Sequence, residues 1–306
     1  MLRLLLLFFI STSLIFVGCV DESKGKKPLP QSLAIIKKDP LPDGYRICLM
    51  GDMGTGYNEQ AMVANALFKE DCDQVRMLGD IIYEAGLKDA NDKQFTTKFY
   101  KPYKAFIEAS NPIPLYIALG NHDYGGNPGA WFDLAKKYPA IKFPDYYYAE
   151  SHDDVCFVSF DSNAWFDEQT KWMQKIKPEL DKTCKLSFAF AHHPYLNAGE
   201  HGDAVEEKDF LDTNVIGKFT FYFAGHDHSL QDEGDLKGTR LIVSGAGGNG
   251  LYPFLKKPIV FGDDKIYGYV VLDILRNENK LSAHYKFVGV NDTVTKVVFE
   301  NTIEVP

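Results

Sequence analysis

Five short apolar runs in this chain each stop at a cluster of polar residues. Residues 47–50 lead to Gly51-Asp52-Met53-Gly54, and residues 75–78, broken only by Arg76, lead to Gly79-Asp80-Ile81-Ile82-Tyr83. Residues 114–119 lead to Gly120-Asn121-His122-Asp123, 186–191 to His192-His193-Pro194, and 219–224 to Gly225-His226-Asp227-His228. Continuous rather than alternating apolar runs suit strands covered on both faces. Helical stretches at 58–70, 92–109, 130–138, 168–181 and 204–213 fall between them, so the order reads as βαβ units. In such folds ligands gather beyond the carboxyl ends of the strands, where all five clusters fall. Residues 241–244, 269–274 and 281–288 read as closing, mostly antiparallel strands.

The residue types in these clusters suggest a metal site. A carboxylate has two oxygens, so Asp80 at a strand tip is able to bridge two cations, and the Tyr83 phenolate is a hard ligand suited to a trivalent one. Of the eight histidines, His122, His192, His193, His226 and His228 lie inside the clusters, and His201 follows His192 by nine residues. His152 and His284 stand apart and read as ordinary polar residues. A set of Asp, Asn, His and Tyr without cysteine fits Fe, Mn or Zn. Taken singly, each residue has a plain explanation. Asp after Gly commonly caps a helix or forms a turn, Gly120-Asn121 is an ordinary turn, and Tyr83 alone would be a core aromatic. Asp123 and Asp227 suit the orienting of neighbouring imidazoles. The glycines at 245–248 fit a tight turn. Only the joint placement at strand tips argues for a shared site.

At 306 residues, 45% hydrophobic and 14% aromatic, the chain has enough apolar material for one large domain or two small ones. With 33 Lys+Arg against 42 Asp+Glu the net charge is −9, and no basic block is present. That argues against nucleic acid as a partner. A protein of this charge that handles phosphate needs bound metal for its positive field. At the N-terminus, Arg3 precedes an apolar run at 4–17 interrupted by Ser11-Thr12-Ser13. It is shorter than the roughly 20 residues that span a bilayer and reads as a secretory leader. The leader ends in Phe16-Val17-Gly18-Cys19, which resembles the lipobox of bacterial lipoproteins and implies a lipid anchor on Cys19. Phe16 stands where Leu is usual, which leaves simple release or an uncleaved anchor as alternatives. The chain thus divides into a lipoprotein-type signal peptide at 1–18, a flexible Lys- and Pro-rich tether at 19–44 and a folded domain at 45–306. The expected location is periplasmic or attached to an outer membrane, otherwise secreted. Cys48, Cys72, Cys156 and Cys184 allow three pairings. Cys48 and Cys156 also fit as plain core residues, and no bridge is assigned.

The clusters G-D-x-G, G-D-x-x-Y, G-N-H-D, A-H-H-P and G-H-D-H, in this order, resemble those of the calcineurin-like metallophosphoesterases. The tyrosine narrows the likeness to the purple acid phosphatases, and to their small, animal-type, tartrate-resistant form. Asn91-Asp92-Lys93, Glu200-His201-Gly202, the stretch 226–231 and Ser244-Gly245-Ala246-Gly247 extend it over roughly residues 45–275. The resemblance implies an α/β (α+β) four-layer sandwich, two mixed β-sheets flanked by helices, with the site at one edge. It implies a ferric ion held by Asp52, Asp80, Tyr83 and His228. A divalent ion (Fe, Zn or Mn) would be held by Asp80, Asn121, His192 and His226, with Asp80 bridging. His122 and His201 would contact phosphate and protonate the leaving group. His193 departs from the tyrosine that animal enzymes often carry and is expected just behind the ligands. The stretch 161–181 is short for the animal form's regulatory loop, which puts autoinhibition in doubt.

Charge then dictates the expected chemistry. Five formal positives face three negatives from Asp52, Asp80 and Tyr83, so a centre with a bridging hydroxide stays positive and suits a phosphate dianion. A trivalent ion lowers the pKa of bound water further than zinc does, which keeps hydroxide available in acid. The expectation is a binuclear acid phosphatase that cleaves small-molecule phosphate monoesters by attack of a metal-bound hydroxide. A phosphodiesterase on the same scaffold and a non-catalytic, metal-holding surface lipoprotein are the alternatives. The loops at 124–131 and 195–203 are the expected substrate walls.

Overall fold

Residues 34–277, 280–292 and 294–305 are described by the computed structural model; the leader at 1–18 and Cys19 lie outside them. The chain enters through β1 (Ile36–Lys37), β2 (Tyr45–Met50), α1 (Asn58–Phe68) and β3 (Gln74–Leu78). A broken helical stretch follows: α2 (Lys93–Phe95), a π-helical turn (Thr96–Tyr100) and α3 (Lys104–Ile107). Then come β4 (Leu115–Ala118), α4 (Asn121–Tyr124), α5 (Ala130–Lys137), β5 (Ile141–Lys142), β6 (Tyr148–His152) and β7 (Val155–Ser159). The next elements are α6 (Phe166–Thr183), β8 (Leu186–Phe190), α7 (Lys208–Asn214), β9 (Phe221–Ala224), β10 (Leu230–Leu236) and β11 (Thr239–Ser244). The described part ends with β12 (Phe261–Asp263), β13 (Tyr267–Asn277), β14 (Lys280–Asn291) and β15 (Val294–Val305).

These strands form two mixed sheets. One has the order β15-β14-β13-β2-β3-β4-β5, the other β1-β6-β7-β8-β9-β11-β10-β12. Strands β2 to β5 run parallel, as do β7, β8, β9 and β11. Along β2, Ile47 and Leu49 join the apolar layer between the sheets, while Cys48 and Met50 join the layer under the helices. Alternate residues of one continuous apolar run are therefore buried on opposite faces, giving helix, sheet, sheet, helix. Between the sheets, stacked rings of Phe157, Phe188 and Phe221 form a ladder with centroids 5.5 Å apart at each step. Burial of each such ring contributes roughly 1.5–3 kcal/mol.

Arg76, the one charge in its run, is 2% exposed and lies in the same layer. Its guanidinium donates to Glu150 on the opposite sheet at 2.7 Å and covers the Tyr116 ring at 3.8 Å. Loss of one partner of such a pair costs about 3–5 kcal/mol.

Three features depart from the sequence expectations. Part of the stretch read as tether is docked: Ile36 pairs in parallel with Glu150, and Leu41 is buried between the sheets. The helix expected over 92–109 is interrupted after Tyr100, where Pro102 has no N–H to continue the ladder. The four cysteines are paired, Cys48 with Cys72 and Cys156 with Cys184, so neither Cys48 nor Cys156 is a plain core residue. Each bridge ties a strand to the segment leading into the next parallel strand.

Candidate metal centre

Three strands end with the same backbone manoeuvre. After Gly51, Gly79 and Gly225, the residues Asp52, Asp80 and His226 adopt φ of +62°, +51° and +72°. This left-handed conformation costs an L-residue roughly 1–2 kcal/mol, and it turns the chain sharply at the strand tip. The glycines allow close approach. A Cβ on Gly79 would sit 2.3 Å from His192 Nδ1, and one on Gly120 would sit 2.1 Å from Asp80 Oδ1.

The tips bring the expected residues together in two groups. In the first, Tyr83 Oη lies 3.2 Å from Asp52 Oδ1 and 2.9 Å from His228 Nε2, and His228 Nε2 is 3.7 Å from Asp52 Oδ1. In the second, three atoms surround His192 Nε2: Asn121 Oδ1 at 3.0 Å, His226 Nδ1 at 3.2 Å and Asp80 Oδ2 at 3.5 Å. Asp80 belongs to both groups, since Asp52, Asp80 and His192 offer donor atoms within 4.8 Å of one another. Ligands about 2.1 Å from a metal sit roughly 3.0 Å apart around an octahedron and roughly 3.4 Å apart around a tetrahedron. The donor separations within each group, 2.9 to 3.7 Å, lie close to those values, so the residues present fit a pair of cations.

Hydrogen bonds behind the donors aim them. Nδ1 of His192 donates to Leu78 O at 2.8 Å and Nδ1 of His228 to Gly250 O at 2.6 Å, which leaves each Nε2 facing inward. Asp52 Oδ2 accepts the His226 backbone N–H at 2.8 Å, and Asp80 Oδ1 accepts that of His122 at 2.9 Å. Such contacts set ligand orientation in metal sites.

Burial raises the carboxyl of Asp52 well above the usual range, and the neighbouring Asp80 raises it further. Tyr83 is raised by burial and then by Asp52 and Asp80. Burial and the surrounding imidazoles push His226 far down, and burial takes His228 down to about 4. Burial lowers His192 as well, but the charge of Asp80 overrides it and pushes His192 up to about 10. Despite its own burial, Asp80 is held below the ordinary carboxylate range, chiefly by His192.

The remaining expected residues sit at the rim. His122, with Nδ1 on Glu84 O, places Nε2 4.0 Å from Asp80 Oδ2. The His201 ring stands 4.1 Å from that of His226, with Nδ1 3.5 Å from Asp227 Oδ2. Asp227 therefore orients an imidazole, as expected. Asp123 does not: its oxygens accept backbone N–H groups of Ile81, Ile82 and Gly120. His152 bonds Asp39 O and His284 faces Asp273 and Glu300, both away from the centre. Sequence reasoning missed Tyr252, stacked 4.0 Å over His228, and Asn197, which donates to Asp227 at 2.8 Å. It also missed Ser162, which bonds His193. All three lie in loops with no motif signal.

Two mixed sheets under helices, with carboxylates, imidazoles and a phenol gathered at the strand tips, describe a protein of the metallohydrolase class. A family profile for calcineurin-like phosphoesterases matches residues 45–230, and the chain belongs to that family. Purple acid phosphatase 7 from Arabidopsis thaliana is 30% identical over 229 residues, covering 65% of this chain and 69% of that protein. Tartrate-resistant acid phosphatase type 5 from Rattus norvegicus is 28% identical over 202 residues, covering 57% and 61%. The solved purple acid phosphatase PPD1 from yellow lupin (Lupinus luteus) seeds shares the fold, with a TM-score of 0.63 at 17% identity over 87% of this chain and 55% of that one. Kinship with acid phosphatases and the donor cluster together support a phosphoesterase hydrolase.

Proposed function

We propose that this chain is a binuclear-metal acid phosphatase acting on small-molecule phosphate monoesters. The observation that supports it most is Asp80, whose carboxylate offers a donor atom close to both Asp52 and His192, one from each group. In this reading Asp52, Asp80, Tyr83 and His228 hold a ferric ion. Asp80, Asn121, His192 and His226 hold a divalent one, Fe, Zn or Mn. The ions, when bound, supply Lewis acidity toward phosphoryl oxygens and water. His122 and His201 lie at the rim, where an ester enters. Nδ1 of each is engaged, on Glu84 O and beside Asp227, so Nε2 is the nitrogen free to deliver a proton to the departing alkoxide oxygen. Glu84 O and the buried Asp227 carboxylate keep those rings in place while the substrate exchanges.

Export belongs to the same proposal. Two disulfides in the described residues suit an oxidising compartment. The partner envisaged besides the substrate is a membrane, reached through Cys19. Nucleic acid is not among the partners.

The test is direct. Metal content and the visible spectrum are measured on residues 19–306, together with hydrolysis of a monoester and a diester bearing the same leaving group across pH. Two metals per chain, a tyrosinate absorption band and a monoester preference in acid are expected. A diester advantage would move the assignment to a phosphodiesterase, and metal without turnover of any phosphate ester would leave a binding protein.

A further inference from the structure

Which oxygen faces Nδ1 distinguishes His193 from its neighbours. In His192, His228 and His122 that oxygen is a backbone carbonyl, which only accepts. Nδ1 therefore carries the hydrogen and, in the neutral ring, Nε2 the lone pair. In His193, Nδ1 lies 2.8 Å from Oγ of Ser162, which is buried, and 3.9 Å from Glu207 Oε1, which is beyond hydrogen-bond reach. That same Oγ accepts the backbone N–H of His192 at 3.2 Å and of His193 at 3.0 Å. Two N–H donors occupy both lone pairs of the hydroxyl, so its one hydrogen is directed at His193 Nδ1. Nδ1 is then an acceptor, and the ring hydrogen resides on Nε2.

That Nε2 has no hydrogen-bond partner among the described residues, and it is not among the buried side-chain atoms left unpaired. It therefore meets open space. The space is a cavity of about 190 Å³ walled by His193, His201, Glu206, Glu207 and His226, contiguous with the second donor group. The His193 ring stands 4.5 Å from that of His226 and 4.9 Å from that of His192. Proximity alone places it among candidate metal ligands, but an Nε2 that bears hydrogen has no lone pair to give.

We propose that His193, its tautomer set by Ser162, is a hydrogen-bond donor to an oxygen of the bound phosphate group and not a metal ligand. This rests on the phosphatase reading for its substrate and adds a binding residue to that site. The donor is present in the neutral ring, so it operates without a proton taken from solvent, which the neutral His122 Nε2 is unable to do.

The test uses zinc-loaded full-length protein and inorganic phosphate. Long-range 1H–15N spectra of the histidine rings are expected to show His193 with hydrogen on Nε2. In calorimetric titration, His193→Phe is expected to keep the parent zinc content and bind phosphate about tenfold or more weakly, as for loss of a hydrogen bond to a charged group. His193→Gln, which retains an N–H donor, should recover most of that loss, and Ser162→Ala should mix the two tautomers. Loss of zinc in His193→Phe, unchanged phosphate affinity, or hydrogen found on Nδ1 would each overturn the proposal. The spectrum of the unmodified protein decides the tautomer even if a variant fails to fold. Monoester turnover by the parent protein reloaded with both iron and zinc separates the two readings: protein that binds phosphate through His193 yet hydrolyses nothing in that form refutes only the phosphatase.

Discussion

Tyr83 Oη lies 2.9 Å from Nε2 of His228, although 145 positions separate the two residues. A phenol and an imidazole that share Asp52 as a neighbour offer oxygen and nitrogen donors suited to a hard cation. If that cation is ferric iron, Tyr83→Phe removes the visible absorption band while leaving the fold intact. A colourless, active, iron-free parent protein would refute the ferric assignment.

Among the described residues, Asp80 is the carboxylate assigned to both donor groups. Asp80→Asn removes the negative charge at the point where two cations would be drawn together. Metal content is expected to fall below that of the parent, with turnover reduced by more than about a hundredfold, beyond the loss typical for residues behind the ligands. Metal analysis beside monoester kinetics checks it.

The metal-free protein should become less stable in base. His192 titrates ordinarily near 6.5 and is pushed up to about 10, so the stability it contributes is complete below 6.5 and is lost as pH rises through 10. Asp52, also raised, acts in the same direction. A bound cation takes the place of that proton and removes the dependence. Chelator-treated protein should therefore lose several degrees of Tm between about pH 7 and about pH 9.5, while metal-loaded protein stays nearly flat. Parallel curves for the two forms would contradict the cluster's electrostatics.

Gly199 permits a contact that no other residue would. A Cβ there would lie 1.9 Å from Asp227 Oδ1, and Asp227 holds both Asn197 and the backbone of His201. Gly199→Ala is expected to displace His201 and lower kcat about tenfold to a hundredfold with metal content unchanged. Full activity in that variant would show that His201 plays no part in turnover.

Each disulfide closes a loop of moderate length, and its removal costs about 2–4 kcal/mol. The double variant Cys156→Ala/Cys184→Ala should lower Tm by roughly 5–10 °C, as should strong reductant acting on the parent. Insensitivity to reductant would mean that the pairs are not formed in the purified protein.

Much of the site was legible because its residues follow strand ends in short, contiguous motifs. Gly-Asp, Gly-Asp and Gly-His each encode the same turn, since the glycine permits the close packing and the next residue takes positive φ. The residues that steady the site were not legible. Ser162, Asn197 and Tyr252 reach it from loops, where hydrogen-bond partners depend on the path of the chain through space. The docking of residues 34–44 was hidden for a related reason: a few apolar side chains among Pro and Lys look like a linker until a sheet edge is there to receive them.

Taken alone, the order of residues determined the strand–helix alternation, the double burial of its strands and the chemical types that stand at their ends. These are local matters of side-chain polarity and backbone preference. Only the tertiary structure decided which atoms meet, from the Asp52 carboxylate receiving a backbone N–H 174 residues away to the cysteine pairs and the oxygen that each imidazole faces. Those outcomes come from packing two sheets around a shared apolar layer, which fixes distances between segments that the covalent chain leaves independent.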